Sequence, residues 1–469
     1  MKYFMRMIAS FLCLVFAVTL LSCAKPDISD PLAKNPDLME NVTNDWMPIL
    51  EKEECLATMG MGNSEDTIHL STNWRFANYG NCLYFWGYYT YKAESGAEMR
   101  KPMLMRYDLS TGETYPACRD SACLHRDESC PFFMGNINAY IMDKNIIYML
   151  KCETKDGEVD TSKPGGIYSY NVDTMEYKLI AERETGATNY FGYHDKKLYY
   201  VQNEYKDKTK NEHDKYIWSC DVKTGKTKKL FCYGDETDNT STYEGRCPLM
   251  IDESGRMIFI NYISFDERAA NDTSSIVAFE YAELKKDADV VTITEYRSKF
   301  SSSSKDTLHY LNGKLYFNEV SSIEKFTYQA DGEERERDFT TYAINYVDLE
   351  NGQTGTLINN TKFGFAVAGD YLYYMPYSPK AVTCSDENSY VFMCSENVMQ
   401  RNVVTQEEKS FAVKGVFSVG TGSTYYYRGR LYTYCFFENE LNQYEESPAE
   451  VDLITGEFRR IPKNLIYLM

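Results

Sequence analysis

Four soft metal ligands fall within thirteen residues, as Cys118-x4-Cys123-x-His125-x4-Cys130. Three thiolates and one imidazole suit a tetrahedral Zn2+. The spacing departs from the usual Cys-x2-Cys knuckle, so a second reading stands beside the metal. A disulfide would join two of the three thiols, and the third would pair with Cys82 or Cys152. Either way, the segment staples a long loop. A second set of residues could bind without reacting. Tyr88, Tyr89, Tyr91, Tyr205, Tyr328, Tyr377, Tyr390 and Tyr444 lie among Asp, Glu, Asn and Lys. Exposed phenols beside polar groups stack and hydrogen-bond, which suits a glycan or peptide. The competing reading is that these tyrosines only extend strands.

Signals for covalent or acid–base catalysis are lacking. The chain has no Gly-x-Ser-x-Gly, His-Glu-x-x-His, P-loop or Gly-x-Gly-x-x-Gly. His194 and His309 stand alone, near the starts of two repeats. The carboxylates are too many to single out a glycosidase pair, which leaves no local signature. A net charge of −19 excludes a nucleic-acid binder. The 43% hydrophobic content excludes disorder throughout.

Residues 1–22 read as a signal segment. Lys2 and Arg6 precede an uncharged apolar stretch from Met7 to Leu21, and Leu20-Leu21-Ser22-Cys23 follows. This end is similar to a bacterial lipobox, which implies cleavage before Cys23 and a diacylglycerol on its thiol. Losing two basic residues and no acidic one takes the formal charge from −19 to −21. A surface so acidic does not adhere to anionic membranes, so the lipid must hold the protein there. Residues 23–66, rich in Pro, Asp and Asn, read as a tether.

From 67 to 469 one pattern recurs seven times. A polar turn precedes alternating Leu and Tyr, as in Asp195-Lys196-Lys197-Leu198-Tyr199-Tyr200 and Asn312-Gly313-Lys314-Leu315-Tyr316-Phe317. A second strand then runs into a Thr-Gly-type turn, clearest at Tyr107-Asp108-Leu109-Ser110-Thr111-Gly112-Glu113. The copies at 281–289 and 402–407 look degenerate. Period-two alternation marks strands, and Asp and Gly mark the corners. Each unit then offers four strands, A to D. Such a unit cannot bury both faces alone but can when stacked. The expectation is an all-β chain forming one seven-bladed β-propeller of four-stranded antiparallel blades. Its A–B and C–D turns would be short. Its B–C connections, at about 88–101, 151–165, 203–214, 264–274, 320–339, 377–395 and 437–447, would be long variable loops on one face. The cysteine segment would lie in the crossover between the first two blades.

Signal, tether and Tyr-rich repeats together resemble the lipid-anchored propeller lipoproteins of gut Firmicutes, and more loosely TolB or tricorn-type blades. The resemblance implies a propeller held outside the cytoplasm by a lipid on Cys23, and it brings no activity. The functional expectation is a monomeric, non-catalytic module that binds an extracellular glycan, peptide or protein. The alternatives are a glycoside hydrolase or polysaccharide lyase working in the propeller funnel, and an envelope-assembly scaffold.

Overall fold

The computed structural model describes residues 77–466 except 93–97, 121, 124, 126–129, 133–136, 152–153, 156–157, 160–164, 184–190, 208–211, 237–244, 266–274, 299–306, 331–332, 384–388, 420–423, 439–443 and 462–463. The signal, Cys23 and the tether lie outside the described residues, as do Cys55, Cys152 and Cys384.

Every described element is a strand. The first sheet holds β1 (Ala77–Tyr79), β2 (Cys82–Lys92), β3 (Glu98–Asp108) and β4 (Glu113–Pro116) in sequence order. The second runs β5 (Ile137–Asp143), β6 (Ile146–Lys151), β9 (Gly165–Asn171), β10 (Tyr177–Arg183). A small hairpin, β7 (Thr154–Lys155) and β8 (Glu158–Val159), lies between β6 and β9. The third is β11 (Phe191–His194), β12 (Lys197–Asp207), β13 (Glu212–Asp221) and β14 (Thr227–Glu236). The fourth is β15 (Gly245–Ile251), β16 (Arg256–Phe265), β17 (Ser275–Glu283) and β18 (Val291–Ser298).

Beyond residue 308 the pattern changes. Twelve strands join into one sheet. They are β19 (His309–Leu311), β20 (Lys314–Ala330), β21 (Glu333–Asp348), β22 (Thr354–Ala368), β23 (Tyr371–Pro376), β24 (Pro379–Thr383), β25 (Ser389–Asn402), β26 (Glu408–Val419), β27 (Tyr425–Tyr427), β28 (Arg430–Glu438), β29 (Tyr444–Asp452) and β30 (Phe458–Arg460). Among the described residues the strands therefore form five blade sheets, not seven separate blades. The cause is strand length. β22 pairs with β21 up to Thr361 and then with β23, so one strand closes one four-stranded stretch and opens the next. β26 pairs with β25 and then, at Ser418 and Val419, with β28.

The two turns are what the repeat encodes. Asp108, Asn171, Asp221, Asp348, Asn402 and Asp452 each accept, at Oδ1, the backbone N–H two residues on. The N–H of the next residue (Leu109, Val172, Val222, Leu349, Val403 or Leu453) donates to a carbonyl of the A–B turn in the same unit. One short motif thus closes the C–D turn and ties it to its neighbour. The copy at 402–407 keeps this geometry, with Asn402 as acceptor and Gln406 at φ 66 where four others carry Gly and one carries Met175 at φ 62. The copy at 281–289 does not align, and Asp287 there donates instead to Leu230 of the preceding sheet.

Apolar cores lie between successive sheets. Ile141, Tyr148 and Ile167 of the second pack with Leu198 and Tyr200 of the third. Ile217 and Phe231 of the third pack with Phe259 and Phe279 of the fourth and Phe317 of the next. Each such fully buried side chain contributes about 1.5–3 kcal/mol. The same kind of core, with Tyr425, Tyr432 and Ile461 against Leu83, Met105 and Tyr107, joins the last strands to the first sheet. Tyr425 and Tyr427 donate to Asn78 Oδ1 and Gly80 O. Tyr107 donates to Glu450, at 2.8 Å. A final strand, β31 (Asn464–Ile466), pairs in parallel with Tyr88–Thr90 of β2. Sheets of meandering strands, stacked face to face and closed end to start, define a β-propeller.

Candidate metal centre and recognition surface

The cysteine segment leaves β4 and runs toward β5, so it occupies the crossover between the first two sheets. Its entry is fixed by Ala117 N–H to Leu104 O, at 2.9 Å. Asp120 folds the next turn by accepting from Ala122 N at Oδ1 and from Cys123 N at its carbonyl. Arg119 reaches the second sheet, with its N–H on Tyr170 OH at 3.2 Å and its guanidinium on Val172 O at 3.1 Å. On the far side Phe132 sets its edge on the Tyr170 ring, with centroids 4.8 Å apart. The Lys151 ammonium donates to Pro131 O and to Tyr177 OH. A loop pinned at both ends holds its middle in place.

That middle carries the ligands. Cys118, Cys123 and Cys130 Sγ and a His125 ring nitrogen all lie within 4.8 Å of one another, and three of the four residues are buried. His125 takes φ 55, a left-handed turn that brings the ring back over the thiols. Its Nδ1 is 3.5 Å from Cys130 Sγ. The three thiols are free, so the disulfide reading is corrected for them: the loop converges all three on one point instead of pairing two. The hydrogen bond from Cys130 holds the Cys118 thiol well below the usual range, with a further bond to His125. The same bond, with burial, pushes Cys130 up, and burial raises Cys123. Thiolates buried here would need a positive partner, which a cation held among these four atoms would supply. The cluster could hold a metal ion. Four protein donors leave no open position, which is the pattern of a structural site rather than a catalytic one.

The proposed loops turn out to be hairpins. β2 and β3 stay paired to Lys92 and Glu98, and β20 and β21 to Ala330 and Glu333. The expected loops at 88–101 and 320–339 are therefore mostly strand. Tyr88, Tyr89 and Tyr91 are in β2, Tyr205 in β12, Tyr328 in β20, Tyr390 in β25 and Tyr444 in β29, while Tyr377 follows β23. The side chains of Tyr88, Tyr89, Tyr91, Tyr390 and Tyr444 lie outside those described. All eight do sit toward the B–C ends of their units, seven of them as strand extensions and Tyr377 just past the end of β23. Tyr205 is exposed and tilts against His213, with ring centroids 5.1 Å apart. Tyr328 stacks on Phe326 at 6.4 Å. Tyr377 is partly buried, and burial and then Glu324 raise its phenol.

Buried carboxylates tie strands within sheets and between them. Glu450 takes Arg430 at 2.8 Å, Arg459 at 2.9 Å and the Tyr107 hydroxyl. Glu280 takes Arg246 at 2.6 Å and Asn261 at 3.2 Å, and Glu319 takes Ser298 and Asn345. His309 sits on an inner strand, with Nε2 2.9 Å from Phe365 O. The sequence reading missed the Glu450 network. Its signal is the register that sets Tyr432 opposite Glu450 and Arg430 opposite Asp452.

No family model matches the sequence, and neither does any curated protein. Solved structures do align. A puromycin hydrolase covers 87% of this chain and 57% of its own length, at 10% identity and TM-score 0.42. The β-propeller domain of the Trilobed protease from Pyrococcus furiosus covers 82% of this chain and 95% of its own, at 10% identity and TM-score 0.43. The Pyrococcus horikoshii acylaminoacyl peptidase covers 70% and 46%, at 15% identity and TM-score 0.38. This chain thus spans about half the length of the two hydrolases. At this level of similarity the alignments transfer no functional residue.

Proposed function

We propose that the protein is a non-catalytic recognition module, held outside the cytoplasm by a lipid on Cys23 and binding its ligand at the B–C ends of its sheets. One observation carries the reading. Six of the C–D ends are closed by near-identical short turns, whereas the B–C ends are hairpins of unequal length, one of which exposes Tyr205. Rigid strands with varied, aromatic ends suit binding. The buried carboxylates Glu280, Glu319 and Glu450 are occupied in holding sheets, which argues against a role for them as an acid–base pair. The twelve-stranded sheet counts as three blade repeats run together, which makes seven repeats in all. The cysteine cluster takes Zn2+, by its three sulfurs and one nitrogen.

A glycan and peptide array probed with the full chain in detergent tests the recognition reading. Retention of one ligand class is expected, with a loss of at least tenfold in the Tyr205→Ala, Tyr328→Ala, Tyr377→Ala triple variant. No retained class, or consumption of the retained ligand, would overturn it. Elemental analysis of protein purified without chelator should find one zinc per chain, and none in Cys118→Ser/Cys130→Ser. Palmitate labelling should be lost in Cys23→Ala.

A further inference from the structure

A net charge of −19 does not spread evenly over the turns. The C–D turns at 108–113, 171–176, 348–353, 402–407 and 452–457 each carry acidic residues and no cation. The third sheet departs from this. Its A–B turn reads Asp195-Lys196-Lys197, and its C–D turn and the strand after it read Asp221-Val222-Lys223-Thr224-Gly225-Lys226-Thr227-Lys228. Five lysines there face two aspartates.

The backbone holds the two turns together, since the N–H of Val222 donates to Lys196 O at 3.2 Å. Asp221 is engaged within its own turn, accepting at Oδ1 from the N–H groups of Lys223 and Thr224 and from the Thr224 hydroxyl. Lys197 is half-buried and lies opposite Asp221. Lys196, Lys223, Lys226 and Lys228 are exposed and have no side-chain partner among the described residues. The patch continues onto the second sheet. Tyr193, two residues before Asp195, hydrogen-bonds Asp143, and the next residue along, Lys144, is exposed and likewise unpartnered among the described residues. On that sheet's own C–D turn Met175 is exposed, at φ 62.

We propose that this turn end of the third sheet rests on the anionic phospholipid headgroups of the bilayer that holds Cys23, which aims the B–C ends away from the membrane. The inference rests on the lipid reading above. Ammonium groups are compact, hydrated charges that meet phosphates as points, without a fixed geometry. Carried at turn tips, they suit a plane of headgroups rather than one bound anion. The attraction acts within a Debye length, about 8–10 Å, so acidic groups elsewhere on the molecule weigh little once the patch is seated. An exposed Met beside lysines adds an apolar tip to the cationic rim, the composition of an interfacial contact. Cys23 precedes Ala77 by 54 residues, at most about 190 Å of chain, so the anchor by itself dictates neither end. A soluble phosphate polymer would meet the same charges, but the anchor keeps the bilayer at high effective concentration.

The test places the full chain, with its lipid, on vesicles of phosphatidylcholine with and without phosphatidylglycerol, and follows acetylation of each lysine by mass spectrometry. Lys196, Lys223, Lys226 and Lys228 should react at least threefold more slowly when phosphatidylglycerol is present, and high salt should remove the difference. Lys206 and Lys325, toward the B–C ends, should react at one rate on both. Lys196→Gln/Lys223→Gln/Lys226→Gln should abolish the slowing at Lys228 with an unchanged Tm. Slowing at Lys206 or Lys325 instead, slowing at Lys228 that survives in the triple variant, or stronger slowing by soluble polyphosphate than by phosphatidylglycerol would each overturn the inference. Chain that floats with both vesicles and reacts at equal rates overturns this inference and leaves the lipid reading standing. Chain that floats with neither overturns both.

Discussion

At the scale of single residues, the propeller depends on a few positions where a side chain has no room. Gly225 has φ +69, and a Cβ built there would stand 2.3 Å from Ile180 O of the preceding sheet. Gly352 repeats the arrangement against Ile293 O, at 2.7 Å. Gly112, across the closure, meets only the movable end of a side chain, 3.2 Å from an Arg459 guanidinium nitrogen. Gly313 also has a positive φ but has nothing within 4 Å. Gly225→Ala should therefore destabilise the fold by more than Gly313→Ala, which carries only a backbone cost of about 1–2 kcal/mol. Chemical denaturation of both variants checks this, and equal losses would show that the sheets do not press on that turn. The glycines were legible in the sequence as turn residues, because φ is a local property. The second task of Gly225 and Gly352, admitting the preceding sheet's carbonyl, was not, since Ile180 is 45 residues away from Gly225 in the chain.

At the scale of elements, the crossover between the first two sheets is where the metal reading has consequences. The ligands were legible from spacing alone. The anchors were not, because Arg119 to Tyr170 and Lys151 to Pro131 join the crossover to strand residues 51 and 20 positions away. Metal binding should couple to local order rather than to the whole fold, since large cores exist without it. Removing zinc with a chelator should speed amide exchange at 117–132 and in β5, and leave β16 and β17 unchanged. Uniform loosening would show a global role, and no change would show that the cluster holds no ion. The hairpins teach the same lesson about range. Tyr88 and Tyr328 were visible as Tyr in polar surroundings, yet strand pairing decided that they extend β2 and β20. Whether β22 ends or runs on into the next unit depends on its partners β21 and β23, which no local pattern records.

At the scale of the whole molecule, a protein with 41 tyrosines has a stability that depends on keeping phenols neutral. Burial raises Tyr148, Tyr170 and Tyr316 each to about 12. A group whose folded value lies above its unfolded value of about 10 stabilises the fold fully below that value. The contribution is lost as pH rises through the folded value. Stability should thus fall between about pH 10 and 12, with late phenolate absorbance appearing together with loss of β-sheet circular dichroism. A single phenolate transition near pH 10 in folded protein would contradict the burial. The recognition reading places binding at the B–C ends of the sheets. Hydrogen exchange of the full chain with its array ligand tests this most directly. Protection is expected within 202–213, 320–341 or 371–377 and not at the turns 221–226, 348–353 and 452–457. Protection confined to those turns would contradict it.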